Sequence, residues 1–168
     1  MTRRIISIVL GAAALIGAAL LIWHGFFPGD KVRIVRALDA AADAVAIEEG
    51  ESAAVALAKI HKLELRLDDH VDVRLRFNRQ TYTGRYERRE AMTGLAALRK
   101  SGVKLKVKLS DFQVTVSGDT AHAEAAATVE ARRNGEDLPL QEDVEFDLVR
   151  RDGEWLISGV AIRNFMEK

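Results

Sequence analysis

The densest group of side chains able to move a proton or hold a metal is Asp68, Asp69, His70 and Asp72, three carboxylates and an imidazole in one short stretch. Acid–base chemistry needs such groups to converge on one point, with a base near the working pH and a donor for developing negative charge. The following run, Val71-Asp72-Val73-Arg74-Leu75-Arg76-Phe77, alternates strictly and predicts a half-buried strand. That alternation sends His70 and Asp72 to one face and Asp69 to the other, so the cluster reads as a solvated lead-in. Asp111 stands at an irregularity in a later strand, a place where side chains are re-aimed. His122 alternates with a row of alanines and faces outward. His61 ends a helix, where it complements the dipole. Tyr82 and Tyr86 fit either a pocket mouth or the core. No Ser-His-Asp arrangement, phosphate-cradling glycine loop or His-rich ligand spacing is present, so no catalytic residue, metal site or cofactor is assigned.

Composition removes other classes. The 168 residues carry 25 basic and 25 acidic side chains, for a formal net charge of +0. Nucleic-acid binding rests on a basic excess that releases phosphate counterions, and there is none overall. The absence of cysteine (Cys 0) excludes disulfides, thiolate metal sites and cysteine nucleophiles.

The elements that must position any site begin with an apolar segment. Residues Ile5 to Trp23 contain no charged residue. Roughly 19 residues at about 1.5 Å each match the hydrocarbon thickness of a bilayer. Arg3 and Arg4 precede the run, Trp23, Phe26 and Phe27 stand at interfacial depth, and Pro28-Gly29 break the helix. The apolar core is longer than that of a signal peptide, and no small-x-small cleavage site follows. The expectation is a cytoplasmic tail and transmembrane anchor over residues 1–28 and one domain over 29–168. The protein would then sit in the inner membrane as a single-pass chain, N-terminus cytoplasmic and domain periplasmic or extracytoplasmic. Lys31, Arg33 and Arg36 oppose that orientation, while the short basic tail favours it. Ala13 and Gly17 place small residues on one face of the span, where another helix can approach closely.

Asp30 is the expected cap of a first helix to about Glu49, with Val32, Val35, Leu38, Ala42, Val45 and Ala46 inward. Ser52 caps a second helix through about Lys62. Tyr82-Thr83-Gly84-Arg85-Tyr86 reads as a turn-rich connection into a third helix over 88–100, with Met92, Leu95, Ala96 and Leu98 inward. Val103, Leu105, Val107 and Leu109 alternate with Lys104, Lys106 and Lys108; beyond Ser110-Asp111 the apolar parity switches to Phe112, Val114 and Val116. One extra residue does that, which predicts a bulge bending a long strand. Gly118-Asp119, Asn134-Gly135 and Asp152-Gly153 then mark hairpins between strands near 120–133, 138–151 and 154–165. Three helices against one strongly bent antiparallel sheet make an α+β domain.

This order resembles the nuclear transport factor 2-like superfamily, a cone-shaped α+β fold, over about residues 30–166. Leu67-Asp68-Asp69-His70-Val71-Asp72-Val73 is similar to its acidic lead-in to the first strand. Thr83-Gly84-Arg85-Tyr86-Glu87 is similar to its turn into the third helix, and Leu148 to Ile157 to its closing hairpin. The resemblance implies a pocket between helices and sheet, in which the enzymes of the superfamily carry a base near the end of the first strand. This chain offers Arg74, Leu75 and Arg76 there, and none does a carboxylate's work. The superfamily also holds non-catalytic binding and assembly domains, several of them membrane-tethered subunits.

The inward positions by parity are nearly all apolar, with Glu142 as the interruption. Tyr82, Tyr86, Asp111, Phe112 and Phe146 are the pocket candidates. The last strand carries Trp155 and Ile157 on one face and Leu156, Val160 and Ile162 on the other. A strand apolar on both faces needs a cover, so Trp155, Leu156, Val160 and Ile162, with Ala13 and Gly17, are the expected partner interface. Lys104, Lys106 and Lys108 are set against Asp143, Glu145 and Asp147 as cross-strand pairs or the rim of that interface. The expected partners are membrane lipid, other subunits of a membrane complex or a second copy. The expected function is a membrane-anchored, non-catalytic binding or assembly domain, an accessory subunit. The alternatives are a carrier or sensor of a small apolar ligand, and a lyase or isomerase of the polyketide-cyclase or ketosteroid-isomerase kind.

Overall fold

The computed structural model describes residues 29–77, 80–133 and 136–163. Its elements run α1 (Asp30–Val45), α2 (Ala53–Glu64), β1 (Leu67–Phe77), β2 (Gln80–Glu87), α3 (Arg88–Lys100), β3 (Lys104–Ser117), β4 (Thr120–Arg133), β5 (Glu136–Arg151) and β6 (Glu154–Arg163). The strands form one six-stranded sheet in the order β2-β1-β6-β5-β4-β3. All pairings are antiparallel but one, since β1 runs parallel to β6. The expected all-antiparallel sheet is corrected in that respect. The residues read as a turn-rich connection form most of β2, paired with β1 from Phe77↔Gln80 to His70↔Glu87.

Each helix has a local reason to start or stop. Gly29, not Asp30, is the N-cap of α1, and Asp30 opens its first turn, where a carboxylate suits the positive dipole end. The helix ends at Val45 because Ile47 pairs with Leu105 at the β3 edge, through hydrogen bonds of 2.7 and 3.0 Å. Its buried stripe is Ile34, Ala37, Leu38, Ala41, Ala42 and Ala44. The stripe is rotated from the expected one, and Val32 is 46% exposed. Ser52 caps α2 through Val55 N–H at 3.3 Å. At the start of α3, Glu87 and Glu90 form a reciprocal capping box. Met92 and Leu95 of α3 are buried, whereas Leu98 is exposed.

The predicted bulge is present. Register between β3 and β4 shifts between Ser110 and Gln113, and Asp111 takes φ 55°. Asp152 and Gly153, at φ 51° and 81°, make the β5–β6 hairpin turn. The Asn134-Gly135 turn lies outside the described residues.

A second bulge went unforeseen. Leu148 pairs with Ile157 and Asp147 with Gly159, leaving Ser158 as the extra residue of β6. Parity therefore flips, and Val160 and Ile162 pair with Phe146 and Val144 on the face that already holds Trp155 and Ile157. The expectation of a last strand apolar on both faces is overturned. Leu156, half-buried opposite Val149, is the large apolar side chain left on the outer face.

The core joins Ile34, Leu38, Ala41 and Ala44 of α1 to Ala121, Ala123, Ala125 and Ala127 of β4, with Val144, Phe146, Leu148, Trp155 and Ile157 completing the wall. Alanine on both sides supports close packing of helix on sheet. The lysines of β3 do not meet the acids of β5, because β4 lies between them. Lys106 instead approaches Glu130 at 3.9 Å, and Lys104 reaches Glu49 at 2.6 Å.

Candidate functional site

The inner face of the sheet is where a cone-shaped domain would hold a ligand. From β3 to β6 its described positions are apolar apart from Glu142, which pairs with Ala127 on the buried row. Glu142 is half-buried, and its Oε2 is enclosed without a hydrogen-bond partner. Desolvating a carboxylate oxygen without a donor is costly, which makes Glu142 the notable polar group of this wall. Only the parity of β5 pointed to it.

The expected pocket residues do not converge. Asp111 is exposed on β3, one edge of the sheet, where its Oδ2 accepts from Ser110 Oγ at 3.0 Å. Tyr86 lies on β2, the opposite edge, and is 45% exposed. Its ring covers Gly84, where an added Cβ would sit 2.7 Å from Cε2. Tyr82 is also in β2, its side chain outside the described ones. Asp111 and Tyr86 therefore do not pair. Phe146 is 8% exposed in the core, and Phe112 is half-buried beside Val32 and Val35 of α1.

The partner candidates divide as well. Trp155 is 2% exposed and closed to any partner in this fold. Val160 and Ile162 face the core, which leaves Leu156; Ala13 and Gly17 lie outside the described residues. Among the described residues no helix is long and apolar enough to cross a membrane. The expected span, Ile5–Trp23, lies outside them.

Three polar constellations hold the domain together. Around Trp155, the indole Nε1 donates to Asp30 Oδ1 at 3.1 Å, and Arg150 lies 5.4 Å from the ring centroid. Arg150 also contacts Asp30 Oδ2 at 3.3 Å and Asp119 at 2.8–2.9 Å, so one guanidinium ties together α1, the β3–β4 turn and the β5–β6 hairpin. Asp68 was read as part of a solvated lead-in; it is buried and accepts both Arg151 Nε at 2.6 Å and Nη2 at 2.9 Å. Hydrogen bonding from Arg151 holds its carboxyl below the ordinary range, against burial. At the far end of α1, the nearly buried Arg99 donates to the carbonyls of Ala44 and Ala46 and pairs with Glu51, which also binds Lys59 at 2.8 Å. Burial pushes the Glu51 carboxyl up, but the bonds from Lys59 and Arg99 bring it down overall.

The outer face carries the remaining titratable groups. His122 Nδ1 lies 2.9 Å from Asp147 Oδ1 and Nε2 lies 3.7 Å from Glu124. The bond to Asp147 raises the imidazole pKa above its usual value, outweighing desolvation. His122, Glu124 and Glu145 each offer a ligand atom within 4.8 Å of the others. They sit on an open sheet surface, away from the inner wall.

An α+β cone of six bent strands and three helices, the sheet's inner face packed against the helices, defines the nuclear transport factor 2-like class. The chain belongs to the SnoaL-like domain family, whose model matches residues 69–161. No curated protein matches it. Solved structures support the fold at low identity. A candidate aromatic ring hydroxylase from Novosphingobium aromaticivorans is 16% identical, with TM-score 0.66 over 82% of this chain and 90% of that one. A candidate scytalone dehydratase from the same organism is 15% identical, with TM-score 0.64 over 82% and 85%. A candidate dehydratase of the nuclear transport factor 2-like family from Streptomyces avermitilis is 13% identical, with TM-score 0.62 over 82% and 98%.

Proposed function

We propose that this chain is a single-pass, membrane-anchored SnoaL-like domain with a non-catalytic binding or assembly role, an accessory subunit of a membrane protein complex. The N-terminus lies in the cytoplasm, and the domain stands on the periplasmic or extracytoplasmic side of the inner membrane. The carrying observation is the polar inventory of the fold. Asp68 is locked to Arg151, Asp111 and His122 face solvent, and the described inner wall from β3 to β6 is apolar around one glutamate. The charge-free run from Ile5 to Trp23 supports the tether.

Purification of the full chain from its membranes in mild detergent tests the role. A second polypeptide or a second copy is expected to travel with it, and a lone monomer contradicts it. Topology is tested separately, because the chain has no native cysteine. Ser52→Cys on the exposed start of α2 should react with a membrane-impermeant maleimide from the periplasmic side. Labelling from the cytoplasmic side alone reverses the orientation.

One observation favours a second reading, a lyase or isomerase acting in the cone. Glu142 presents an enclosed, partnerless carboxylate oxygen on the inner wall, and two similar structures are named as candidate dehydratases. That reading requires turnover of an aromatic β-hydroxy ketone that disappears in Glu142→Gln. No turnover by the native chain removes it.

A further inference from the structure

The first two turns of α1 and the part of β3 just beyond its bulge bound an open groove of about 730 Å³. Val32 and Val35 of α1 and Phe112 and Val114 of β3 form its apolar surface, and Gln113 and Thr115 are its exposed polar rim. Val32 is 46% exposed, and Val35, Phe112 and Val114 are half-buried, so the packing of α1 on the sheet stops short of covering them. Lys31 and Arg36, both exposed, complete the lining. At about 100° per residue, the helix places the two valines between the two cations.

Two observations name the occupant. The first is charge. Among the described residues the groove lining holds no acidic side chain, and neither Lys31 nor Arg36 has an ion pair. The neighbouring acids bond elsewhere, Asp30 to Trp155 and Arg150 and Asp111 to Ser110. An apolar strip with an unpaired cation on each flank is the pattern by which a helix meets an anionic lipid surface, the cations on headgroups and the aliphatic groups toward the acyl boundary. The second is position. Lys31 follows Gly29 by two residues, and only residues 24–28 separate Gly29 from the end of the charge-free run at Trp23. At no more than about 3.5 Å per residue, that spacer holds the start of α1 within about 20 Å of the span. A surface tethered so closely meets the bilayer at high effective concentration.

We propose that this groove docks the domain on the anionic surface of the bilayer that holds its tether, with Lys31 and Arg36 on lipid phosphates and Val32 and Phe112 toward the acyl boundary. This deepens the membrane-anchored reading by giving the folded domain a lipid contact of its own, and it rests on that reading.

The test uses the full chain in vesicles of phosphatidylcholine with or without phosphatidylglycerol. Because the chain has no native cysteine, a bimane label on Thr115→Cys reports the groove, and one on Ser101→Cys reports the opposite end of β3. Lipids with spin-labelled headgroups should quench the label at Thr115 but not the one at Ser101, and only when phosphatidylglycerol is present. Lys31→Glu combined with Arg36→Glu should lower the ratio of docked to undocked domain at least about tenfold. Equal quenching at the two sites, quenching independent of phosphatidylglycerol, or no response to the charge reversal overturns the proposal. Thr115 labels that quench one another instead of meeting lipid would put a second copy in the groove and overturn it too. Flotation separates the two readings. A chain that floats with the vesicles without headgroup quenching loses only the docking surface, whereas one that does not float loses the tether as well.

Discussion

The indole Nε1 of Trp155 donates a 3.1 Å hydrogen bond to Oδ1 of Asp30, joining the first turn of the first helix to the last strand across almost the whole chain. Arg150 stacks on the same indole and reaches the same carboxylate, so the bond belongs to a network. Asp30 directly follows Gly29, so the clasp lies at the N-terminal edge of the described domain. A buried Trp with a satisfied N–H and a cation over its face is stabilised in three ways at once.

Asp30→Ala leaves the Trp155 N–H without its acceptor and removes one partner of Arg150. The expected loss is about 1–3 kcal/mol, read from urea unfolding followed by tryptophan fluorescence. A change below measurement error would mean that the clasp is ornamental.

Asp68 predicts the acid limb of stability. Its folded pKa is depressed by Arg151, so its contribution is fully present above the unfolded value near ~3.9 and is lost as pH falls through the folded one. Asp68→Asn should flatten the stability profile below about pH 4 and lower stability at neutral pH. An acid limb unchanged in the variant would assign it to other carboxylates.

His122 acts in the opposite direction. Its pKa is raised by Asp147, so its contribution is present below the unfolded value near ~6.5 and is lost as pH rises through the folded one. The imidazole, followed by NMR, should titrate above the ordinary histidine value, and Asp147→Asn should bring it back down. A His122 titration unmoved by that substitution contradicts the assignment.

At the β3 bulge, Asp111 occupies positive φ, which aspartate tolerates and a β-branched residue does not. Asp111→Ile should cost about 1–2 kcal/mol, while Asp111→Gly should be close to neutral. Equal stability of the two variants would show that the left-handed backbone is not retained.

Much of this fold was legible because local chemistry and global topology agree. The parity switch between Leu109 and Phe112 gave the first bulge, Asp152-Gly153 the last hairpin, and the alanine row the packing of α1. The same kind of switch exists between Ile157 and Val160, but apolar residues on both parities of β6 hide it. With Leu156 and Ala161 on the outer face, alternation carries little contrast. The rotation of the α1 stripe was illegible for a related reason, since alanines crowd both faces and Val32 looks as inward as Ile34. Asp68 misled because its partner Arg151 is 83 residues away; sequence spacing shows adjacency, and this carboxylate is buried by a contact that only the hairpin supplies. The candidate site was the least legible part. Tyr86 and Asp111 are each on the edge of the sheet, and strand order, which places them apart, is a property of pairing rather than of spacing.

The central claim is that this chain is a tethered domain that works in an assembly. Light scattering on the full chain, extracted in mild detergent from carbonate-washed membranes and corrected for bound detergent, tests it most directly. The account predicts that the chain stays with the washed membranes and then elutes with a protein mass of at least twice its own 18.6 kDa. Release by carbonate, or a monodisperse species of one chain alone, would contradict it.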